Sequence, residues 1–140
     1  MGTPTIIIDT NVLVSALGWK GAPRKILERV LSGEYSLVTC SEQLDELTRI
    51  LSYPKLAITP DERERFLAII ANAATVIDVK TDLAPLEDDP SDTILLELAV
   101  ATRADYLISG DRHLTQLKRF EHTRIMSPRA FLEIFSPHRP

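Results

Sequence analysis

Several features that mark particular classes of protein are missing from this sequence of 140 residues. It has one cysteine, Cys40, so no internal disulfide can form and a disulfide-stapled scaffold is excluded. No apolar run approaches the about 18 residues of a membrane-spanning helix, and there is no internal repeat or low-complexity tract. The composition, 44% hydrophobic and 26% charged, is typical of a soluble globular protein. We expect one domain over residues 1–140, with residues 136–140 as a flexible tail.

The sequence is also short of positive charge, since 16 Lys and Arg stand against 20 Asp and Glu and give a net charge of −4. This argues against a protein that coats nucleic acid through a basic surface. Nucleic acid as a substrate is not excluded, because divalent cations held by some of the acids would offset their charge. Six cations are available for phosphates, although solvated surface is the alternative for each: Lys20, Arg24, Lys25, Arg112, Lys118 and Arg119.

The first residues carry no targeting signal of a familiar kind. Residues 1–4 lack the basic and apolar regions of a secretory signal, and Ile6 stands where a myristoylation motif needs Ser or Thr. We therefore expect a cytoplasmic protein with no membrane association. Cys40 follows the apolar segment 37–39 and is expected to be a small buried residue with no chemical role.

The most informative stretch is the run of three isoleucines, Ile6 to Ile8, that ends in Asp9. A continuous β-branched run predicts a strand buried on both faces, because a strand with one solvated face would alternate. Asp9 is then the first residue past the strand, where open α/β sheets bind ligands. The alternative is that Asp9 or Asn11 only caps the following helix.

Strands and helices alternate along the rest of the chain. Further strands are predicted at residues 35–40, 75–79, 106–108 and 124–126, and helices at residues 12–17, 23–33, 41–53, 60–74, 91–102 and 114–117, with a last helix from 127. Residues 80–90 are expected to form a loop. This alternation predicts an α/β fold in which a central parallel sheet is flanked by helices in three layers.

Four acids are predicted to reach the carboxyl edge of that sheet. Asp9 and Asp111 follow strands, Glu46 lies in a helix that follows a strand, and Asp92 opens a helix. Clusters of oxygen ligands without Cys or His select Mg²⁺ or Mn²⁺, and two such ions about 3.5–4 Å apart can serve the hydrolysis of a phosphodiester.

Each acid has a plainer alternative. Glu46 could belong to a solvated helix face, and Glu42, one turn earlier, competes with it for the same place. Asp88 and Asp89 compete with Asp92 in the same way, and Asp111 could merely cap a short helix. Residue spacing does not separate these alternatives.

Four motifs in this order resemble the PIN domain family, and within it the small prokaryotic toxin-like ribonucleases. They are the segments 8–12 (IDTNV), 41–47 (SEQLDEL), 89–92 (DPSD) and 109–114 (SGDRHL). The resemblance implies a Mg²⁺- or Mn²⁺-dependent nuclease that acts on RNA with one or two ions. It also implies pairing with a small antitoxin that covers the acidic pocket.

The resemblance assigns roles to individual positions. Asp9, Glu46, Asp92 and Asp111 match the acidic quartet of the family, while Asn11 and Ser109 match its supporting polar positions. Relatives often carry Asn where this chain has Thr93 and an acid where it has His113.

The leading hypothesis is therefore a metal-dependent endoribonuclease in which Asp9, Asp92 and Asp111 bind metal and Glu46 binds metal or positions water. One alternative is a catalytically inactive module that binds RNA or protein. A phospho-receiver domain fits less well, because Asp9 supplies one acid where a pair is needed. We also expect a homodimer, with Leu17, Trp19 and Phe66 as candidate contact residues, although packing in the core is the alternative for most of them.

Overall fold

A six-stranded sheet organises the computed structural model, which describes residues 2–79 and 90–135. The strand order is β3-β2-β1-β4-β6-β5; β5 runs antiparallel to β6 and every other pairing is parallel. The strands are β1 (Thr5–Ile8), β2 (Ser36–Thr39), β3 (Ala74–Val76), β4 (Tyr106–Ile108), β5 (Arg119–Phe120) and β6 (Thr123–Met126).

The helices cover both faces of this sheet. They are α1 (Thr10–Gly18), α2 (Ala22–Leu31), α3 (Ser41–Leu51), α4 (Pro60–Ala73), α5 (Pro90–Thr102), α6 (Arg112–Thr115) and α7 (Pro128–Phe135). A single 3-10 turn, Pro54–Leu56, connects α3 to α4. None of the helices in the described ranges is long and apolar enough to cross a bilayer.

Strand β1 lies between the two halves of the hydrophobic core. Ile6 and Ile8 pack with α1, α2, α3, α4 and α7 on one face, whereas Ile7 packs with α5 and α6 on the other. All three side chains are at most 2% exposed. The predicted strand buried on both faces and the three-layer α/β arrangement are therefore confirmed.

Strand β3 is shorter than predicted and begins one residue earlier. It pairs with β2 over three residues only, from Ala74 beside Leu37 to Val76 beside Thr39. Because β2 ends at Thr39, the Ile77 N–H makes the last bond, to the Thr39 carbonyl at 2.8 Å. The predicted extension to residue 79 has no partner strand among the described residues.

The antiparallel strand β5 was not predicted, and it adds one antiparallel pairing at the edge of the predicted parallel sheet. The chain reaches and leaves β5 through Lys118 and Glu121, whose φ angles are 63° and 53°. Left-handed backbone is usually signalled by Gly or Asn, and neither residue stands here. Residues 80–89, which include Asp88 and Asp89, and the predicted tail 136–140 lie outside the described residues.

An aromatic cluster fastens α7 to the amino edge of the sheet, opposite the edge that carries the acids. The Phe131 ring lies 5.0 Å from Tyr35 and 5.3 Å from Tyr106 between ring centres, in edge-to-face geometry. Phe135 also packs on Phe131 at 4.8 Å, and its carbonyl accepts a hydrogen bond from Arg29. Edge-to-face pairs add to the free energy gained by burying the rings.

We predict that Phe131→Ala lowers the free energy of unfolding by about 3–5 kcal/mol, because it leaves a cavity at the centre of this cluster. Ile134→Ala is the matched control on the same helix, since Ile134 is 48% exposed. Urea denaturation measures both variants. An equal and small effect of the two changes would contradict the anchoring role of Phe131.

Candidate active site

Asp9 stands at the point where the strand order changes direction. It follows β1 directly, with β2 on one side of that strand and β4 on the other. Its backbone carbonyl accepts hydrogen bonds from the N–H groups of Val12 and Leu13, both at 3.0 Å, so α1 begins at Thr10 rather than at the predicted residue 12. In parallel α/β sheets, the crevice at this position is the usual ligand site.

The buried hydroxyl of Ser109 joins the ends of β1 and β4. Its Oγ donates to Asp9 Oδ2 at 2.6 Å and accepts from the backbone N–H of Asp111 at 3.0 Å. Ser109 is 0% exposed. This chain of hydrogen bonds brings Asp9 and Asp111 to one place, although they are far apart in the sequence.

Burial and neighbouring negative charge make ionisation of Asp9 costly. Asp9 is 9% exposed, and burial is the largest cause that raises the pKa of its carboxyl above the ordinary value. The Ser109 hydroxyl and the backbone N–H of Asn11 oppose this rise in pKa, while the charges of Glu46 and Asp111 add to it. The carboxylates of Glu46 and Asp111 are therefore close enough to act on Asp9.

Asp111 also caps a helix, as its plainer alternative predicted. Its Oδ1 accepts the backbone N–H of His113 at 2.8 Å at the start of α6. Arg112 and His113 themselves are exposed. Capping uses one carboxylate oxygen of Asp111, and the negative charge of the side chain remains at the carboxyl edge of the sheet.

Glu46 is held by two hydroxyl groups from other elements. Its Oε1 accepts from Thr10 Oγ1 at 2.7 Å, and its Oε2 accepts from Ser91 Oγ at 2.6 Å. Glu42, its competitor in the sequence, is exposed. Glu46 is therefore the glutamate that α3 directs to the ends of β1 and α5.

The remaining predicted positions divide into buried and exposed residues. Asp92 is 6% exposed in the first turn of α5, and Thr93 beside it is also buried. Asn11 is exposed, and within residues 2–79 and 90–135 its side chain makes no hydrogen bond. Glu97, to which the sequence motifs gave no role, is a further buried carboxylic side chain of α5.

Three polar residues of this edge received no role from the sequence motifs: Thr10, Gln43 and Ser91. Gln43 stands four residues before Leu47 and eight before Leu51, on the buried side of α3. A glutamine on an otherwise apolar helix stripe is the signal that could have identified it. Thr10 and Ser91 carry no comparable signal, because their partner Glu46 is distant in the sequence.

The donor set fits a hard divalent cation in its chemistry. The groups gathered here are carboxylate and hydroxyl oxygens, which Mg²⁺ and Mn²⁺ prefer. Burial raises the pKa of the Cys40 thiol to about 11, so this thiol is protonated at neutral pH in the metal-free protein. Among the residues that the structure describes, no three acidic, histidine or cysteine side chains lie close enough together to hold a metal ion.

Comparisons with known proteins agree with this fold. A sequence model of the PIN domain matches residues 5–113, and a search of curated proteins finds no match. Among solved structures, a chain of VapBC2 from Rickettsia felis, bound to a DNA fragment from their promoter, superposes with a TM-score of 0.57. The match covers 86% of this chain and 96% of that chain at 16% identity. At this identity the likeness shows a shared fold.

We predict that Asp9→Asn stabilises the metal-free protein at neutral pH. Because the pKa of Asp9 is raised in the folded protein, its ionisation begins to cost stability as the pH rises above the unfolded value of about 4, and the full cost is present above the folded pKa. Thermal unfolding with chelator should therefore show a higher Tm for the variant at pH 7 and convergence with the wild type at about pH 3. Asp45→Asn, on the exposed face of α3, is the control. A lower Tm for Asp9→Asn at pH 7 would contradict this account.

Proposed function

We propose, since this chain belongs to the PIN domain family, that it is a Mg²⁺- or Mn²⁺-dependent endoribonuclease and the toxin component of a toxin-antitoxin pair. The motifs at residues 8–12, 41–47, 89–92 and 109–114 lie mostly within the matched region. The fold shared with a chain of the VapBC2 complex supports the pairing with an antitoxin.

Uncompensated negative charge at the carboxyl edge is the observation that carries the proposal. The carboxylates of Asp9, Glu46 and Asp111 come from three separate elements, and the charges of Glu46 and Asp111 help to raise the pKa of Asp9. Across residues 2–79 and 90–135, none of them pairs with a cationic side chain; the one ion pair there joins His122 to Asp105 at the opposite edge. Buried carboxylates are costly unless a cation pairs with them, and a bound metal ion would fill that role.

We assign Asp9, Asp92 and Asp111 to metal binding, and Glu46 to metal binding or to positioning the attacking water. Bound divalent ions would supply Lewis-acid activation of the water and of the phosphate group. The hydroxyls of Ser109, Thr10 and Ser91 each donate to a carboxylate and hold its orientation. We assign Ser109 the supporting role that its motif implies, because its hydroxyl donates to Asp9, and we propose that the exposed Asn11 contacts the substrate from the surface.

RNA is the substrate class that we propose, and the exposed Arg112 beside Asp111 is a candidate contact for its phosphates. We also propose a homodimer in solution. Trp19 is 63% exposed and supports this proposal, but Phe66 is 5% exposed and belongs to the core, so it is removed from the candidate contacts. Light scattering of the purified protein tests the oligomeric state.

The matched pair Glu46→Gln and Glu42→Gln tests the proposed function. We predict that Glu46→Gln reduces Mg²⁺- or Mn²⁺-dependent cleavage of single-stranded RNA by more than the about 10–100-fold that loss of an outer partner costs. Glu42→Gln should stay within about twofold of wild type, because Glu42 lines the same pocket as Glu46 with an exposed carboxylate, and an exposed charge contributes little. Equal activity of the two variants would contradict the assignment, and cleavage by wild type that persists in chelator would contradict metal dependence.

Asp111→Asn separates the capping role of this residue from its proposed role in metal binding. Asn caps helices about as well as Asp, so the variant should keep the wild-type Tm. We predict that it nevertheless loses most of its RNA cleavage, because the ligand charge is gone. Wild-type cleavage rates with an unchanged Tm would show that Asp111 serves only as a cap.

A further inference from the structure

The ends of β1 and β2 separate at the carboxyl edge, and a glutamine side chain fills the gap between them. β1 pairs with β4 up to Ile8 beside Ile108, but its pairing with β2 stops at Ile6 beside Leu37. Gln43 of α3 is 3% exposed and donates from Nε2 to the carbonyl of Ile8 at 2.7 Å. The carbonyl that β2 leaves unpaired is thus satisfied by a side chain.

The partners of Gln43 fix which way its amide points. A backbone carbonyl can only accept, so the group facing Ile8 must be the NH₂. The Oε1 atom then faces Thr39 Oγ1 at 2.6 Å, and the Thr39 hydroxyl must be the donor. The second hydrogen of Nε2 is directed toward Thr10 Oγ1 at 3.4 Å. Each of these groups is buried, so an alternative orientation would leave donors or acceptors unsatisfied.

The partners of the Thr10 hydroxyl fix its direction in the same way. The Glu46 carboxylate can only accept, so the Thr10 hydroxyl donates to its Oε1, 2.7 Å away, and a lone pair of Thr10 Oγ1 remains to accept from Gln43 at 3.4 Å. The Ser91 hydroxyl donates to the other oxygen of Glu46. The hydrogen bonds therefore run in one direction, from Thr39 through Gln43 and Thr10, and end on the Glu46 carboxylate.

We infer that Gln43 is a positioning residue for the metal site, acting through Thr10 to fix the orientation of the Glu46 carboxylate. This inference rests on the proposed function, since it concerns the same site. This relay, the chain of hydrogen bonds from Thr39 through Gln43 and Thr10 to Glu46, connects the ends of β1 and β2 and the start of α3 to one carboxylate. Gln43 lies one helical turn before Glu46 on α3. In the described part of the chain, hydrogen bonds connect the two side chains through Thr10.

A purely structural role for Gln43 makes a different prediction. If Gln43 only bridges the ends of β1 and β2, its loss lowers the stability of the fold and leaves metal affinity unchanged. If it positions Glu46, its loss weakens metal binding even in protein that remains fully folded. Metal affinity measured without RNA separates these roles independently of catalysis.

The test is a calorimetric titration of Mn²⁺ into wild type and Gln43→Met, a change that keeps the length of the side chain but removes both hydrogen-bonding groups. We expect Mn²⁺ binding about 10-fold weaker in the variant, in line with the loss of an outer partner of a ligand. Circular dichroism checks that the variant is folded. Thr39→Val, which is nearly isosteric and removes only the donor to Gln43, should weaken binding in the same direction and replaces Gln43→Met if that variant does not fold.

Thr123→Val is the matched control for Thr39→Val. Thr123 is 1% exposed and donates to the Ala104 carbonyl at 2.6 Å, near the amino edge of the sheet. It loses a buried hydroxyl in the same way, and its Mn²⁺ affinity should equal that of wild type. Thr10→Val should also bind Mn²⁺ weakly, because it removes the hydroxyl that donates to Glu46.

The outcomes distinguish this inference from the proposed function. If wild type binds Mn²⁺ and folded Gln43→Met and Thr39→Val bind it equally well, the positioning role is overturned while the proposed function stands. If wild type binds neither Mn²⁺ nor Mg²⁺, both fail together. Weakened binding in the two relay variants, with normal binding in Thr123→Val, supports the inference.

Discussion

Burial of the Asp9 carboxylate at the carboxyl edge of the sheet, beside the charges of Glu46 and Asp111, is the constraint on which the rest of this structure depends. Asp9 cannot move away, because the isoleucines before it are buried on both faces of the sheet and its own carbonyl begins α1. Its ionisation is costly, as the raised pKa records. Neighbouring residues hold Asp9, Glu46 and Asp111 in place. Within residues 2–79 and 90–135, no cationic side chain forms an ion pair with any of these three acids.

The protein meets this constraint with neutral donors. Ser109 serves Asp9, while Thr10 and Ser91 serve Glu46, and each donor is a hydroxyl group. A Lys or Arg in any of these places would offset the charge permanently and compete with a metal ion. Hydroxyl groups orient the carboxylates and leave their charge in place, so the site remains attractive to a divalent cation.

Local sequence predicts much of the fold, because a run of β-branched residues such as Ile6 to Ile8 strongly favours a strand buried on both faces. It also places Asp9 and Asp111 at the carboxyl edge, because Asp9 directly follows β1 and Asp111 comes three residues after the end of β4. It could not separate Glu46 from Glu42, which lie one helical turn apart and differ only in contacts supplied by other elements. The hydrogen bonds of Gln43 could not be predicted for the same reason, because its partners Ile8 and Thr10 are more than 30 residues away in the sequence. Strand β5 could not be predicted, because the residues that flank it, Lys118 and Glu121, adopt left-handed backbone without the Gly or Asn that usually signals it.

Anomalous diffraction from crystals soaked in Mn²⁺ tests the central claim most directly, because it locates the ion without any assumption about the RNA substrate. The account predicts a peak at the carboxyl edge, within a coordination distance of about 2.1 Å of an Asp9 oxygen and shared with Glu46, Asp92 or Asp111. No peak at that edge, or peaks only at surface carboxylates elsewhere, would contradict the assignment of this edge as a metal-dependent active site.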